Sequence, residues 1–229
     1  MNHPTYIDIS SIFFNRSIKA FFSLKNFSEF GKEKTKYFAK KVGFNNSKLL
    51  VPNQIHSSNV KICLSPGKVP NCDGTFTNQS NIVCSIQVAD CLPIYFAHRS
   101  KLLFGLIHAG WRGLVNDIIL ASGLLLKKCN YNLSDFEVII GPSIQNCCFE
   151  VGDDIIHNFQ KRHFKTLSHN KFKVDLQKLA FDKFVDIGFK TKNIHKLDDC
   201  TLCNSEKYFS FRRDGKTAGR MFGLIGAKL

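Results

Sequence analysis

The alternation of apolar and polar residues along the chain predicts many short strands. Apolar runs of strand length cover Leu49–Val51, Val60–Leu64, Ile82–Val88, Phe136–Ile140, Tyr208–Phe211 and Arg220–Ile225. A strand pair is predicted over Pro93–Ala97 and Leu102–His108, because the polar residues His98–Lys101 separate two apolar runs by a short turn.

Helical spacing of apolar residues is confined to four segments. These are Lys32–Lys41, Gly113–Lys128, Asp153–Arg162 and Leu176–Ile187, the last with Asp175 as its N-cap. Helices and strands interleave irregularly, with hairpin-length turns as well as longer connections. This order favours an α/β protein with mixed sheets over a purely parallel, doubly wound one.

The composition of the chain is that of a folded globular protein. Of its 229 residues 44% are hydrophobic and 22% are charged, and no linker or repeat divides them, so we predict a single domain over residues 1–229. No apolar stretch of about 18 residues and no secretory signal is found, which predicts a cytoplasmic protein without membrane contact.

The formal net charge of +14 is spread along the chain. Because no arginine-rich arm or aromatic–glycine RNA-binding motif accompanies it, we expect no nucleic-acid partner, and the charge favours a small anionic substrate or co-substrate.

The nine cysteines follow no evenly spaced disulfide framework. We therefore expect most of them to be small, buried apolar residues in a reducing compartment. Cys147 and Cys148 are adjacent, and Cys200 and Cys203 form a CxxC pair. Without a second pair of the same kind, that CxxC is interpreted as packing.

Reactive side chains concentrate in three segments at predicted strand ends, Asn53–Ser58, Val88–Pro93 and Leu106–Gly113. They contain His56, Cys91 and His108. Thiolate and imidazole together suit zinc, and three protein ligands leave the open position of a catalytic site. The long, irregular spacing excludes a zinc finger. From spacing alone the evidence for a metal site is weak, because a lone histidine beside a strand is more often a core or surface residue, and Cys91 before Leu-Pro could equally be packing.

Longer strings around these residues resemble a known family. NQIHSSNV, NCDGTFTN, ADCLPIYF, HAGWRGLVNDII, IGPSIQNCCFEVGDD and YFSFRRDGKTAGRM occur in that order between about Leu49 and the C-terminus. They are similar to the YfiH family, also called laccase-domain or polyphenol-oxidase-like proteins. The resemblance implies a four-layer α/β/β/α sandwich with mixed β-sheets.

The resemblance also implies one zinc ion held by His56, Cys91 and His108. The implied activity is purine nucleoside phosphorolysis, in which adenosine, inosine, guanosine or methylthioadenosine and phosphate yield base and sugar 1-phosphate. Adenosine deamination and editing of peptidoglycan precursors are associated with the same family. The implied partners are therefore a purine nucleoside and phosphate.

The older copper-laccase label is less suited to this chain. A laccase needs several coppers and many histidines, and only two of the eight histidines here fall in the motifs. The others are interpreted as surface residues: His3, His98, His157, His163, His169 and His195.

Further motif residues receive roles as hypotheses. Arg112 begins a predicted helix and either binds an anion or pairs with Asp90 or Asp117. Asp73 and Asp90 are candidate catalytic residues, each able to orient a ligand histidine or act as a base.

Substrate binding is assigned to side chains from three parts of the chain. Asn53 and Gln54 offer amide contacts to a base edge or to backbone, and Arg212 and Arg213 either hold phosphate or frame the site. Arg16 is matched to the family's N-terminal region, where this chain has FFNRSIKAFFSLKNF and lacks a Gly-Gly-Val-Ser loop that is typical of relatives.

Two other classes of function remain open from the sequence. A cysteine hydrolase or amidase for peptidoglycan precursors would use Cys91 as nucleophile and His108 as base. A non-enzymatic binding protein would have no need for an open three-ligand site. Either a monomer or a small homo-oligomer is expected.

Overall fold

The structure of the protein is a computed structural model that describes residues 4–29 and 33–228. Its strands are β1 (Tyr6–Asp8), β2 (Ile18–Ser23), β3 (Leu49–Pro52), β4 (Val60–Ile62), β5 (Gly67–Val69), β6 (Gly74–Thr77), β7 (Val83–Val88), β8 (Leu92–His98), β9 (Phe104–Ala109), β10 (Phe136–Ile140), β11 (Glu150–Val151), β12 (Phe164–Ser168), β13 (Lys171–Val174), β14 (Ile194–Lys196) and β15 (Met221–Ala227).

The α-helices are α1 (Lys34–Lys41), α2 (Trp111–Val115), α3 (Ile118–Lys128), α4 (Asp153–Ile156), α5 (Leu176–Ile187) and α6 (Phe211–Asp214). Short 3-10 helices cover Ser10–Ile12, Lys25–Glu29, Leu133–Asp135, Lys161–His163, Thr191–Asn193 and Gly215–Thr217. Among the described residues, no helix has the length and apolar character needed to cross a bilayer.

Two large mixed sheets form the centre of the molecule. The first has the strand order β1-β2-β15-β7-β3-β5 and the second β14-β10-β8-β9-β6-β4. In both sheets most neighbours are antiparallel, but β3 runs parallel to β5 and β7, β4 to β6, and β10 to β14. A small third sheet has the order β11-β13-β12.

Three apolar clusters show how the layers stack. One cluster packs α1 residues such as Phe38 against the first sheet, and a second fills the space between the two sheets. The third packs the second sheet against helices α2, α3 and α5, through residues such as Ile118 and Phe184. The order of layers is therefore α/β/β/α, as the sequence resemblance implies.

The sequence of strand β8 is apolar throughout because both faces of the strand are buried. Leu92, Ile94 and Phe96 lie in the cluster on the helix side, whereas Tyr95 and Ala97 lie in the cluster between the sheets. Successive side chains of a strand point to opposite faces, and both faces of this strand are covered. The Tyr95 hydroxyl donates a 3.1 Å hydrogen bond to the Phe21 carbonyl, which links the two sheets.

Several predicted elements are confirmed. The β8–β9 hairpin pairs Pro93 with His108, and the predicted strand over Phe136–Ile140 and helix over Leu176–Ile187 have the predicted bounds. Asp175 caps α5 by accepting a 2.8 Å hydrogen bond from the Lys178 amide. The single-domain organisation over residues 1–229 stays a prediction.

Other predicted elements were wrong in extent or type. The helix predicted over Gly113–Lys128 is two helices, because Asp117 has a left-handed φ of 65° and its carboxylate pairs with Lys183. The helix predicted over Asp153–Arg162 ends at Ile156. Tyr208–Phe211 is not a strand, since Ser210 caps the short helix α6. Of the Lys32–Lys41 helix, Lys32 lies outside the described residues.

Two of the histidines interpreted as surface residues are buried. His98 and His163 are each 2% exposed. His98 accepts hydrogen bonds from the Ser100 and Lys101 amides at the hairpin turn, and His163 bonds to Asp182. Each histidine thus has a local structural partner. His3 lies outside the described residues.

We expect Phe96→Ala to destabilise the fold strongly. Phe96 is fully buried and its ring contacts Phe76, Phe184 and Phe189, so truncation leaves a cavity that costs about 3–5 kcal/mol of unfolding free energy. Urea denaturation measures the change. Leu124→Ala on α3 is the control, because Leu124 is 56% exposed and its truncation should change the unfolding free energy by less than about 0.5 kcal/mol. Similar losses of unfolding free energy in both variants would contradict the assignment of Phe96 to the core.

Candidate metal centre

Three separate segments bring His56, Cys91 and His108 together. His56 lies in the loop after β3, Cys91 immediately precedes β8, and His108 is the second-last residue of β9. One ligand atom from each lies within 4.8 Å of the others, and the two imidazole rings are 4.7 Å apart at an angle of 81°. The spacing and the donor types fit one metal ion.

The carboxylate of Asp73 organises this site. It lies within 2.9 Å of His108 Nδ1 and accepts hydrogen bonds from the backbone amides of Ile55, His56 and Ser57, at 3.2, 3.0 and 2.7 Å. A carboxylate bonded to Nδ1 fixes the orientation of the ring and leaves Nε2 as the ligand atom. One buried group therefore positions both histidines.

The backbone at the site is held in uncommon conformations. His56 has a φ of 60° and Asp90, next to Cys91, has a φ of 78°. Non-glycine residues adopt such values only where surrounding contacts hold them, and they are concentrated at functional sites. At His56 the holding contacts are the amide bonds to Asp73.

The site is open on one side. His108 is 3% exposed, whereas Cys91 is half-buried and His56 is exposed to solvent. Gly110 permits this arrangement, because a Cβ atom there would lie 3.0 Å from Cys91 Sγ and 3.1 Å from His56 Cδ2. A metal here would have protein ligands on one side and an accessible position on the other.

Two groups of the site, the Cys91 thiolate and the Asp73 carboxylate, carry negative charge near neutral pH. Burial opposes ionisation of Cys91, but the charge of His108 and hydrogen bonds from His108 and His56 outweigh it and lower the thiol pKa to about 6. Burial also opposes ionisation of Asp73, yet bonds from His108 and Ser57 lower its pKa to about 2. The pKa of His108 is raised to about 9 despite its burial, chiefly by Cys91 and Asp73.

Two cavities meet at the metal ligands. The larger, of about 430 Å³, is lined by Pro52, Asn53, Gln54, His56, Gln87, Val88, Ala89, Cys91, His108, Phe211 and Arg220. The smaller, of about 230 Å³, is lined by His56, Ala89, Asp90, Cys91, Gly110, Trp111, Arg112, Ile144, Phe149, Leu176, Phe211 and Arg212. His56 and Cys91 line both.

Two arginines give the smaller cavity its positive charge. The Arg112 guanidinium stacks on Trp111, and the Arg212 guanidinium lies over Phe149 and donates to the Glu150 carbonyl. Within the described part of the chain Arg112 has no carboxylate partner, since Asp117 pairs with Lys183 and Asp90 binds other groups. Because α2 has only five residues, the guanidinium groups rather than a helix end provide the anion-binding potential.

Asp90 positions loops rather than a histidine. Its carboxylate accepts hydrogen bonds from Thr201 Oγ1 at 2.6 Å, Ser210 Oγ at 3.0 Å and the Arg212 amide at 2.7 Å. These three donors occupy the Asp90 carboxylate and leave it poorly suited to act as a base. Of the two carboxylates predicted as catalytic candidates, only that of Asp73 contacts a ligand histidine.

The structure brings some of the predicted substrate-binding residues to the cavities and not others. Asn53 and Gln54 line the larger one, although the Gln54 amide is bonded to the backbone of Gln87. Arg213 lines neither cavity and donates instead to Asp214 and to the Tyr208 carbonyl.

Arg16 lies at the opposite end of the first sheet. It precedes Ile18, which pairs with Ala227, whereas Met221 at the other end of β15 pairs with Val88 near Cys91. A strand of this length spans about 20 Å, so Arg16 does not reach the site. Its guanidinium donates to the Ser11 carbonyl instead, and we remove it from the set of substrate-binding candidates.

Three polar or aromatic residues that line the larger cavity were missed by the sequence analysis: Gln87, Phe211 and Arg220. Phe211 was assigned to a strand, although the capping serine before it is a local signal for a helix start. Its ring is 50% exposed and borders both cavities.

The mixed α/β sandwich and the open His–Cys–His group place the chain among α/β proteins with a candidate metal site. The sequence profile described as multi-copper polyphenol oxidoreductase laccase matches residues 22–228. The chain therefore belongs to this laccase-domain family.

Relatives and solved structures agree with this assignment. A purine nucleoside phosphorylase of Staphylococcus epidermidis is 30% identical over 203 residues, which are 82% of this chain and 76% of the relative. Purine nucleoside phosphorylase YlmD of Geobacillus stearothermophilus is 32% identical over 70% of this chain and 61% of its own length. The crystal structure of YfiH from Bacillus licheniformis superposes with a TM-score of 0.89 at 24% identity, covering 99% of this chain and 98% of YfiH.

We expect Asp73→Asn to weaken zinc binding about 10- to 100-fold, because a neutral amide cannot hold His108 and the His56 loop as the carboxylate does. Competition with a chromophoric chelator measures the dissociation constant, and near-UV circular dichroism checks the fold. Asp135→Asn, which changes an exposed aspartate before β10, is the matched control. An unchanged zinc affinity in Asp73→Asn would contradict the assigned role.

Zinc should protect Cys91 from alkylation. With a thiol pKa of about 6, metal-free Cys91 is a thiolate at neutral pH, and its rate of reaction with iodoacetamide should fall as the pH drops below about 6. Peptide mass spectrometry reads each cysteine separately. Exposed Cys129 should react with or without zinc, and buried Cys84, whose pKa is raised to about 12 by burial, should react in neither state. Equal alkylation of Cys91 with and without zinc would exclude it as a ligand.

Proposed function

We propose that this protein is a zinc-dependent purine nucleoside phosphorylase. It would cleave adenosine, inosine, guanosine or methylthioadenosine with phosphate to the free base and the sugar 1-phosphate. Curated relatives at about 30% identity are named purine nucleoside phosphorylases, which supports a nucleoside-processing enzyme. The substrates, the zinc ion and the cytoplasmic location remain part of the proposal, as does a monomeric or small homo-oligomeric state.

The observation that carries the proposal is the position of His56 and Cys91 between two unlike cavities. The smaller cavity contains Arg112 and Arg212, whose planar guanidinium groups match the oxygens of phosphate. The larger contains the amides of Asn53 and Gln87, groups suited to a nucleoside, and the exposed ring of Phe211 borders both cavities. A site for two co-substrates needs such an arrangement, with the reacting atoms meeting at the shared wall.

The donor set favours zinc over copper redox chemistry. Two imidazoles and one thiolate with an open position are typical of catalytic zinc, which acts as a Lewis acid toward a substrate oxygen when it is bound. A multi-copper oxidase needs several histidine-rich sites. In the described chain the groups able to hold a metal are this one and a group of four cysteines without histidine.

The protein's own residues orient the two substrates. Arg112 and Arg212 would bind the phosphate dianion and aim one oxygen at C1′ of the ribose. As that oxygen bonds to C1′, the N-glycosidic bond breaks, and its electron pair goes to the purine nitrogen, which takes a proton from phosphate or water. Phe211 would stack on the purine, and Asp73 holds His108 in place throughout.

Two other activities are compatible with parts of the geometry. Adenosine deamination would use the same open site, with water in place of phosphate. A cysteine hydrolase or amidase acting on peptidoglycan precursors is favoured by one observation, the close pairing of a Cys91 thiol of lowered pKa with His108. That activity would need the metal-free protein, so removal of zinc would raise it and abolish phosphorolysis.

Incubation of the metal-quantified protein with adenosine, with and without phosphate, tests the function directly. Phosphorolysis predicts adenine and ribose 1-phosphate only when phosphate is present. Inosine would indicate deamination. If adenosine does not react, inosine, guanosine and methylthioadenosine are assayed in the same way, and no reaction with any of the four would contradict the proposal. His108→Ala should lose the activity together with the zinc.

Arg112→Ala should raise the KM for phosphate by about tenfold or more, because it removes a charge-assisted contact worth roughly 1.5–3 kcal/mol. The KM for adenosine should change little. Arg162→Ala is the control, since this exposed arginine pairs with Asp182 and Asp186 and lines neither cavity. Equal effects of the two substitutions on the phosphate KM would oppose the assignment of the smaller cavity to phosphate.

Phe211→Ala should raise the KM for adenosine more than the KM for phosphate, because its ring can stack on a purine but offers phosphate no hydrogen bond. Stacking of a base on an aromatic ring is worth about 1–3 kcal/mol, so a change of roughly five- to a hundredfold is expected. Phe14→Ala removes a ring that is 62% exposed and lies outside both cavities, and steady-state kinetics of this control should match the unaltered protein. An unchanged adenosine KM in Phe211→Ala would exclude stacking.

A further inference from the structure

Four cysteines from two distant parts of the sequence converge at a second location. They are Cys147 and Cys148 in the loop after β10, and Cys200 and Cys203 in the loop after β14. All four sulfur atoms lie within 4.8 Å of one another. Cys147 and Cys203 are exposed, which contradicts the expectation that these residues are buried apolar packing.

The distances between the sulfur atoms match a single tetrahedral metal ion. Cys203 Sγ lies 3.6 Å from Cys147 Sγ and 3.2 Å from Cys148 Sγ. With zinc–sulfur bonds of about 2.3 Å, the edge of a tetrahedron of thiolates is about 3.8 Å. A disulfide would require about 2.05 Å. An iron–sulfur cluster contains several iron ions bridged by sulfide, so the cysteine sulfur atoms that bind it lie further apart than those around a single ion.

The backbone around Cys200 has donors that suit a ligated thiolate. The backbone groups of Cys203, Gln145 and Leu202 lie within hydrogen-bonding reach of the Cys200 sulfur. Two of these amides belong to the CxxC segment itself, so the turn folds back onto the sulfur of its first cysteine. Such amides stabilise a sulfur that carries negative charge.

Backbone bonds that do not involve sulfur hold the two loops in place. Ser143 forms a parallel bridge with Cys200, and the Thr201 amide donates to the Ser143 carbonyl at 3.1 Å. On the other loop, the Cys148 amide donates to the Gln145 carbonyl at 2.9 Å. The fold therefore brings the sulfur atoms together without a covalent link between them.

We propose that Cys147, Cys148, Cys200 and Cys203 form a closed, structural zinc site, separate from the open site at His56, Cys91 and His108. Four thiolates in tetrahedral arrangement select zinc and leave no position for a substrate. The inference does not rest on the proposed function.

This second zinc would stabilise loops that reach the first site. Thr201, next to Cys200, donates to the Asp90 carboxylate, and the Ile144 amide donates to the Asp90 carbonyl at 3.0 Å. Asp90 also accepts from the Arg212 amide. Zinc at the cysteines would therefore fix the wall of the smaller cavity without touching a substrate.

Metal analysis of purified variants tests the proposal. The unaltered protein, prepared with zinc under reducing conditions, should bind two zinc ions per chain. Cys203→Ser should retain one, and His108→Ala should also retain one, from the other site. Cys129→Ser changes an exposed cysteine outside the cluster and should retain two. An unchanged zinc content in Cys203→Ser would overturn the proposal.

A spectroscopic measurement covers the case in which Cys203→Ser does not fold. Zinc X-ray absorption of His108→Ala should show only sulfur ligands, because the remaining zinc lies at the four cysteines. Nitrogen or oxygen ligands there, iron in place of zinc, or a metal-free protein with a disulfide between Cys148 and Cys203 under the same reducing conditions would overturn the proposal.

Discussion

The buried carboxylate of Asp73 is the contact on which the candidate site depends. It is fully buried, yet its partners, the His108 ring and the amides of the His56 loop, compensate for the loss of water. Because these bonds favour the charged form, the pKa of Asp73 is held near 2, and the carboxylate stays ionised well below neutral pH. The positive φ of His56 is tolerated for the same reason, since the amide bonds to Asp73 require it.

The two sheets determine where the site lies. His108 is on the same face of β9 as Phe104 and Leu106, which fill the space between the sheets, so its ring lies at the margin of that apolar layer. The cavities open where the layer ends, and their walls combine strand ends, such as Pro52 and Gln87, with loops and the short helices α2 and α6. Asp90 gathers those loops through Thr201, Ser210 and the Arg212 amide. If zinc occupies the four cysteines as proposed, two groups hold these loops: the Asp90 carboxylate beside the candidate site, and the zinc ion at the cysteines.

Sequence patterns are informative where one local property determines structure. β10 and α5 were predicted with the observed bounds, because β10 is buried on both faces and α5 has an N-cap and regular apolar spacing. The break at Asp117 was missed, since it depends on a left-handed residue and a contact with Lys183 across the fold. The three candidate metal ligands were recognised through their flanking motifs, and the structure brings them together. The convergence of Cys147 and Cys203 was not predicted, because only the tertiary fold brings these segments together. Arg16 was assigned to the site wrongly, because the sequence does not show where its strand lies in the sheet.

The central claim is that Asp73 holds His56, Cys91 and His108 as one zinc site at the junction of the two cavities. Anomalous diffraction at the zinc absorption edge, from crystals grown with zinc and phosphate, tests it most directly. The account predicts an anomalous peak bonded to these three residues, with His108 Nδ1 still on Asp73 and phosphate density beside Arg112 and Arg212. A zinc-loaded crystal with no peak among the three residues, or with the His108 ring turned away from Asp73, would contradict it.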